Sequence, residues 1–536
     1  MNHTKFRVGI FFGGASRERE ISFSGGRTVF DNLNREVFDP IPIFVDSLGN
    51  LILLDWKYLY KGTIRDFYPV PELLSEQEKS FQIYIESIED SSQIDKHISK
   101  IGKRISYEDL LDLIDFAYLV LHGPFGEDGT LQGMLEFMGI PYSNSGIFPT
   151  ALSVDKTKVK KQFELSGKPV ANGIVINRKD WLRDFKSVLD NHAYKFFNDV
   201  KRVVVKPANQ GSSIGVSFVD SIESLQQAID KAFFLKRLDI SQWKSLSDNE
   251  KYRFIRDLVD PRYSIGFPVI IYDEQGNPVS EAISSPLRLM NVLDSEGDLP
   301  EKIVLAGFPI ETHVLVEEAL EGKEFSCIVL ENSSGEPVAL LPTEILKAGR
   351  VFDYRSKYLA GMARKRTPAR LPIEKIQKIR LSSQEAYKLI GCDVYARIDG
   401  FLTTAGEVII NDPNTTSGML PSSLLFHQTA LIGMGPSEFL TYSIFQSLNH
   451  RINSPTANVN IFSKGENLHS IQSEAKEKTK ERVAVIMGGY SSERHISVES
   501  GRNIFEKLLA SEHYEPIPLF LLKNETGDLE LYKIPL

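Results

Sequence analysis

Cysteine is nearly missing from this chain: two thiols, Cys327 and Cys392, stand among 536 residues. That excludes a disulfide framework and a cysteine-built metal site, and leaves two reduced core thiols as the expectation. No apolar run comes near the roughly 20 residues of a membrane-spanning helix. The start, MNHTKFRVGIFFGG, has neither the charged head nor the long apolar stretch of a secretory signal. A cytoplasmic protein with no membrane partner is expected. An excess of basic charge is missing too. Against 62 Lys and Arg stand 71 Asp and Glu, a formal net charge of −9. Nucleic acid is therefore not expected as a partner, because a phosphate backbone needs a basic face.

What is present is ordinary for a folded chain, with 42% hydrophobic and 25% charged residues. There is apolar material for several cores, and the length fits about three or four domain-sized units. Arg7 to Phe12 is an apolar run, followed by Gly13-Gly14-Ala15-Ser16 and then RERE. This reads as strand, tight turn and helix, the opening of an α/β unit. Phe116 to Leu121 reads as a second buried strand, leading into HGPFGEDG and a helix from about Leu131. Beyond Thr150, strands such as Val203–Val205, Val314–Glu317 and Ser326–Leu330 alternate with amphipathic stretches.

Residues 236–311 interrupt that alternation with WKSLSDNEKYRF and a DEQGNPV hairpin signal, and read as an inserted subdomain or long excursion. Residues 451–480 are polar with few aromatics, and read as a linker, partly helical at most. Past it, RVAVIMGGYSSERHISVESGRNIF at Arg482 repeats RVGIFFGGASREREISFSGGRTVF at Arg7. Gly13, Gly14, Ser16 and Glu18 return as Gly488, Gly489, Ser491 and Glu493. A match of that length predicts a duplication. The expected division is thus 1–150, 151–450 with its insertion, the linker, and a partial repeat at 481–536. The repeat ends before any counterpart of HGPFGEDG, which marks either a decayed copy or a piece of a longer tandem protein.

Several stretches carry candidate chemistry. VKPANQGSSIGVS at Val205 sets Lys206 ahead of a Gly/Ser loop, Gly211 to Gly215, able to turn N–H groups toward phosphate oxygens. Taken alone, a plain turn between strands is the commoner explanation for such a loop. RIDGF at Arg397 and VIINDPNTTSG at Val408 place Asp399, Asp412 and Asn414 on neighbouring strand-like stretches. Their hard oxygens suit Mg²⁺ held against nucleotide phosphates, although Asp-Pro-Asn is also turn chemistry and Arg397–Asp399 also a surface pair. Two positions apart on a strand, Arg397 and Asp399 face the same way. Glu317 and Glu324 offer acceptors for an adenine amine and ribose hydroxyls. DYRSKY at Asp353, with Lys357 and Tyr358, has the character of a lid loop.

In order along the chain, GGASREREIS, HGPFGEDGTLQGMLEFMGIPYSNSG, SVDK, VKPANQGSSIGVS, EGKEF, DYRSKY, RIDGF and DPNTTSGM resemble the motifs of the D-alanine–D-alanine ligases, members of the ATP-grasp superfamily. The resemblance implies an α/β fold, with a Rossmann-like amino-terminal domain ahead of a two-subdomain ATP-grasp fold of α+β character. It implies ligation of two D-alanines for peptidoglycan precursor synthesis, through an acyl phosphate formed from ATP. It assigns Lys156, Lys206, Gly211, Ser213, Glu317, Glu324 and Lys357 to ATP, and Asp399, Asp412 and Asn414 to two Mg²⁺ (or Mn²⁺) ions. Glu18 is implied to grip the first D-alanine's ammonium, with His122 near its carboxylate, and Ser423 and Leu424 to contact the second D-alanine. Arg397 is implied to stabilise the transferring phosphoryl. Ser212 and Tyr358 are implied to complete a hydrogen-bonded set with Glu18, and Tyr358 favours an amine acceptor. A homodimer follows by analogy alone. The family usually carries glutamate where this chain has Asp412, and lacks the insertion. Two alternatives follow from these departures: an ATP-grasp ligase with other amino-acid substrates, or a non-catalytic ligase-like binding protein.

Overall fold

The apolar run at Arg7 forms the strand β1 (Phe6–Gly13), whose side chains alternate between two buried layers. Val8, Ile10 and Phe12 enter one core with Phe23 and Phe44, whereas Phe11 enters another with Ile43 and Leu119. A strand covered on both faces has no polar side, which is why it reads as an unbroken apolar run. In this computed structural model, which describes residues 5–295, 299–347, 363–474, 480–511, 513–523 and 527–533, β1 lies between two parallel neighbours, β2 (Phe38–Val45) and β5 (Phe116–Leu119). Strands β3 (Leu51–Leu54) and β4 (Gly102–Ile105) extend the sheet antiparallel beyond β2, giving the order β4-β3-β2-β1-β5. Helix α1 (Arg19–Asn32) packs on β1. A Cβ on Gly26 would stand 2.5 Å from the Phe12 ring, so glycine there lets the helix lie close.

Two antiparallel sheets follow. The first has the order β6 (Gly173–Asn177), β12 (His313–Glu318), β7 (Val203–Pro207), β8 (Ser217–Val219). The second runs β16 (Ala363–Arg366), β15 (Thr343–Lys347), β13 (Gly322–Glu331), β17 (Tyr395–Thr403), β18 (Val408–Asn414), with β14 (Pro337–Ala339) also on β13. Between β8 and β12 the chain builds a further three-stranded antiparallel sheet from β9 (Leu235–Asp239), β10 (Val269–Tyr272) and β11 (Lys302–Gly307). Helices Asp248–Val259 and Pro286–Asp294 accompany it. The DEQGNPV signal is a tight turn just after β10, where Asp273 N–H donates to Asn277 C=O at 2.9 Å. This unit has its own core around Trp243, Phe267 and Leu289, and that core also takes in Ile21 of α1 and Ile214.

The stretch 451–480 differs from the linker expected of it. It carries the helix Val459–Glu474, with Ile461 and Leu468 buried in the same core as β1, and Lys464 pairs with Asp115. The two apolar residues recur after two helical turns, a stripe thin enough to be lost among polar neighbours. Beyond it, β19 (Glu481–Gly488), the helix Arg494–Leu509, β20 (Tyr514–Lys523) and β21 (Leu529–Lys533) run in the order of β1, α1, β2 and β3. Gly488 and Gly489 both have φ +96°, against +99° and +87° at Gly13 and Gly14. Ser497 Oγ accepts from Gly488 N–H as Ser22 Oγ does from Gly13 N–H. The unit leans on α1: Lys507 pairs with Asp31 at 3.0 Å and Lys480 with Glu36 at 2.9 Å. Arg35 N–H donates to Ala510 C=O at 3.1 Å.

Cys327 and Cys392 are buried and unbridged, and burial pushes the Cys327 thiol up to about 12. Among the described residues no helix is long and apolar enough to cross a membrane.

Candidate active site

Glu18 ends the glycine turn after β1, immediately before α1. Its N–H is held by Ser16 Oγ at 3.2 Å, and its carboxylate accepts a hydrogen bond from Ser212. Ser212 belongs to the Gly211–Gly215 loop, where Ser212, Ser213 and Gly215 take φ of +51°, +58° and +76°. That left-handed run curls the loop over the end of α1. A Cβ on Gly211 would stand 2.4 Å from Glu18 Oε2, so any side chain there would have to displace the carboxylate end of Glu18.

His122 follows β5. Its Nδ1 lies 3.3 Å from Glu127 Oε1, and the other Glu127 oxygen accepts from Gly123 N–H at 2.8 Å. Burial disfavours a charged ring, but Glu127, with Glu18 behind it, outweighs that and raises the His122 pKa. Nε2 is buried and has no hydrogen-bond partner among the described residues. When the ring is protonated, Nε2–H is a donor left open beside a carboxylate-held imidazole, and it suits an anionic group.

On the paired strands β17 and β18, Arg397 stands opposite Asn414 and Asp399 opposite Asp412. Asp412-Pro413-Asn414 lies within β18, so it is strand and not turn. Arg397 and Asp399 do share a face, with Nη2 and Oδ2 3.0 Å apart in a partly buried pair. Asn414 Nδ2 reaches Asp399 Oδ2 at 3.4 Å and Asp412 C=O at 2.8 Å. Asp399, Asp412 and Asn414 are thus neighbours on the paired strands, and their carboxylate and amide oxygens are the donor chemistry that suits a divalent cation. The register shifts between Asp399 and Gly400, leaving Asn411 as an extra residue. The bulge directs its Oδ1 to Lys206 Nζ at 2.8 Å.

Lys156 Nζ donates to Gln210 C=O at 2.9 Å and lies 3.3 Å from Asp412 Oδ1. Glu317 sits between two lysines, 2.5 Å from Lys206 and 2.9 Å from Lys160. Burial would raise the Glu317 pKa, yet the two ammonium groups outweigh it and hold the carboxyl below its usual range. A cavity of about 180 Å³ between the two sheets is lined by Lys156, Lys206, Ser213, Glu317, Glu324 and Asp412. A second, of about 110 Å³, is lined by Glu18, His122, Arg397, Asn414, Ser423 and Leu424. Glu324 and Asp399 border both, so the two hollows adjoin. Ser423 also caps the short helix Leu424–Thr429, accepting from Phe426 N–H at 3.4 Å. A larger hollow, about 710 Å³, lies elsewhere, among Lys231, Arg237 and Tyr263.

All the expected site residues therefore border these two adjoining cavities, apart from Lys357 and Tyr358, which lie outside the described residues. Three contributors are missing from the sequence reading. Glu127 stands inside the HGPFGEDG stretch and was there to be read. Lys160 lies one helical turn after Lys156 on the helix Lys156–Leu165, a spacing that puts both on one face. Asn411 gives no signal, because a bulge depends on how two strands pair.

The match to known families follows the same outline. The family model described as D-ala D-ala ligase N-terminus matches residues 7–145, and that described as D-ala D-ala ligase C-terminus matches 163–240 and 289–444. A D-alanine–D-alanine ligase from Acetivibrio thermocellus is 30% identical over 427 residues, covering 78% of this chain and 90% of that protein. The chain belongs to the D-alanine–D-alanine ligase family. An Arthrobacter ligase of the same name is 28% identical over 458 residues, 84% of this chain and 96% of its own. Among solved structures, the VanG D-Ala:D-Ser ligase of Enterococcus faecalis is similar with a TM-score of 0.53 and 23% identity, over 83% of this ligase and all of that chain. The D-alanine–D-alanine ligase of Coxiella burnetii gives 0.52 and 18%, over 88% and 97%. The ligase thus has the expected fold, a Rossmann-like α/β unit followed by an ATP-grasp fold. The break in the family match between 240 and 289 falls inside the stretch that builds β10.

Proposed function

We propose that this ligase joins two D-alanines, with ATP converted to ADP and phosphate, and so supplies the dipeptide for peptidoglycan precursors in the cytoplasm. The observation that carries this reading is the placement of Glu18, His122 and Arg397 around one cavity, next to the cleft that holds Lys156 and Lys206. Glu18 binds the first D-alanine's ammonium, and the unpartnered Nε2 of His122 meets its carboxylate. Lys156, Lys206 and the Gly211–Gly215 loop hold the ATP phosphates, while Glu317 and Glu324 face adenine and ribose.

One carboxylate oxygen attacks the γ-phosphorus and ADP leaves, giving an acyl phosphate. The second D-alanine, against Ser423 and Leu424, then attacks the acyl carbon through its neutral amine, and phosphate departs with the C–O electron pair and takes up the proton that the nitrogen loses. Arg397 faces both the transferring phosphoryl and the tetrahedral oxyanion, where a fixed cation lowers the barrier. Asp399, Asp412 and Asn414 hold two Mg²⁺ ions, which supply charge neutralisation to the phosphates. Ser212 ties the loop to Glu18 and shields the acyl phosphate from water. Tyr358 favours D-alanine as acceptor. A homodimer remains part of this reading, tested by light scattering of the full chain at two concentrations.

Phosphate release with ATP, Mg²⁺ and a panel of D-amino acids tests the function. D-alanine-dependent release with matching dipeptide is expected. Release only with another D-amino acid would reassign the substrate, and no release from well-folded protein would overturn the reading.

A further inference from the structure

Arg17 separates Ser16 from Glu18, yet its side chain leaves the site and enters the inserted unit. It is fully buried. Nη1 donates to Pro261 C=O at 2.8 Å and Ser264 C=O at 3.0 Å, and Nη2 to Ile265 C=O at 2.8 Å and Phe308 C=O at 3.3 Å. The guanidinium lies 3.5 Å over the Phe234 ring. A buried cation is costly unless its donors are met. Here carbonyls from two separate segments meet both terminal nitrogens, and an aromatic face completes the cage, while Nε has no hydrogen-bond partner among the described residues.

The far side of the cage leads back to the site. Phe234 is the residue before β9, and a Cβ on Gly215 would stand 3.1 Å from its ring. Gly215 closes the loop that carries Ser212. Ile214 of that loop and Ile21 of α1 are both buried in the inserted unit's own core, with Trp243 and Phe267. The two segments that meet as Glu18 and Ser212 are thus each fastened to one body outside the site. Residues 261–265, which supply three of the four carbonyls, fall in the break of the family match.

We propose that the inserted unit is a brace between domains, with Arg17 as its positioning residue: it holds the Glu18 turn and the Gly211–Gly215 loop in fixed relation, so that the ammonium site for the first amino acid is assembled before substrate arrives. Pre-assembly of this kind removes an ordering cost from each binding event. It also keeps the loop over the acyl phosphate, whose hydrolysis by water returns the amino acid and phosphate without peptide. The proposal rests on the ligase reading for its substrate and stands apart from it in geometry.

The test uses full-length protein and the variants R17A and R17K. Wild-type protein first establishes whether phosphate release and dipeptide formation are D-alanine-dependent and equal, which decides the ligase reading by itself. In R17A, the KM for the amino acid at the Glu18 site is expected to rise about tenfold or more, with ADP binding changed by less than about twofold. Phosphate released should exceed dipeptide formed. R17K, a point charge that cannot reach carbonyls on two segments at once, should recover only part of the loss. In ligand-free protein, amide exchange at 16–21 and 211–215 should be faster in both variants, with the helix Asp248–Val259 as protected as in wild type. If R17A does not fold, R17K and F234L carry the test. Unchanged KM, a phosphate-to-dipeptide ratio of one and unchanged exchange at 211–215 in a folded variant would overturn the brace. The exchange measurement decides it even if D-alanine proves not to be the substrate.

Discussion

Ser212 donates its hydroxyl hydrogen to the Glu18 carboxylate, joining the Gly/Ser loop to the glycine turn across 194 residues of chain. Gly211, one residue earlier, puts no side chain against that carboxylate. G211A would bring a methyl group to 2.4 Å from Glu18 Oε2 and push the carboxylate aside. The expected result is a KM for the first D-alanine raised about tenfold, equivalent to about 1.4 kcal/mol, with thermal stability nearly unchanged. Initial-rate kinetics check it, and an unaltered KM would show that the loop does not shape the ammonium site.

Arg397 lines the cavity together with Asp399 and Asn414. R397A is expected to lower turnover by roughly 10²–10³-fold, the scale of a lost transition-state donor, while a fluorescent nucleotide still binds. Near-normal turnover would remove Arg397 from the chemistry.

The raised His122 pKa has a kinetic consequence. If the imidazolium holds the substrate carboxylate, kcat/KM falls as pH rises through the His122 value. E127Q removes the nearest charge that raises it while keeping an acceptor for Gly123 N–H. The alkaline fall should therefore move to lower pH in E127Q. A profile identical to wild type would mean that another group sets that limb.

His450 gives a separate pH dependence, of stability. Its Nε2 lies 2.6 Å from Glu331 Oε2. That hydrogen bond, reinforced by the charge of Glu331 and opposed by burial, raises the His450 pKa in the folded state. A raised folded value stabilises the protein below the unfolded pKa of about 6.5 and the gain is lost as pH rises through the folded value. The melting-temperature gap between wild type and H450Q should thus be wider at pH 6 than at pH 9. Equal gaps would show that the pair carries no linked proton.

The unit formed by 481–533 has a small core of its own, around Val485, Met487 and Phe505. It touches the end of α1 and the residues just after it through partly exposed ion pairs, of the kind worth little individually. Deleting residues 481–536 is expected to leave ligase activity measurable by phosphate release. Complete loss with a folded remainder would make that unit part of the working enzyme.

The sequence by itself determined the order of parts: the apolar strand at Arg7–Phe12, the glycine turn, the neighbouring strand-like stretches that become β17 and β18, and the ligase motifs. These are encoded within a few residues, by alternation, by turn glycines and by motif spacing. It also showed where the regular alternation breaks at 236–311. Only the tertiary structure decided what the break does, because Arg17 looks from its neighbours like one more charged residue on a helix start. Its role appears once carbonyls more than 240 residues away close on it. The same holds for Lys160 and Asn411, which reach Glu317 and Lys206 through helix facing and strand register. It holds too for Ile461 and Leu468, whose burial depends on which surface the helix meets. Local propensity is written along the chain, whereas satisfaction of a buried charge or an apolar stripe is settled only when distant segments pack.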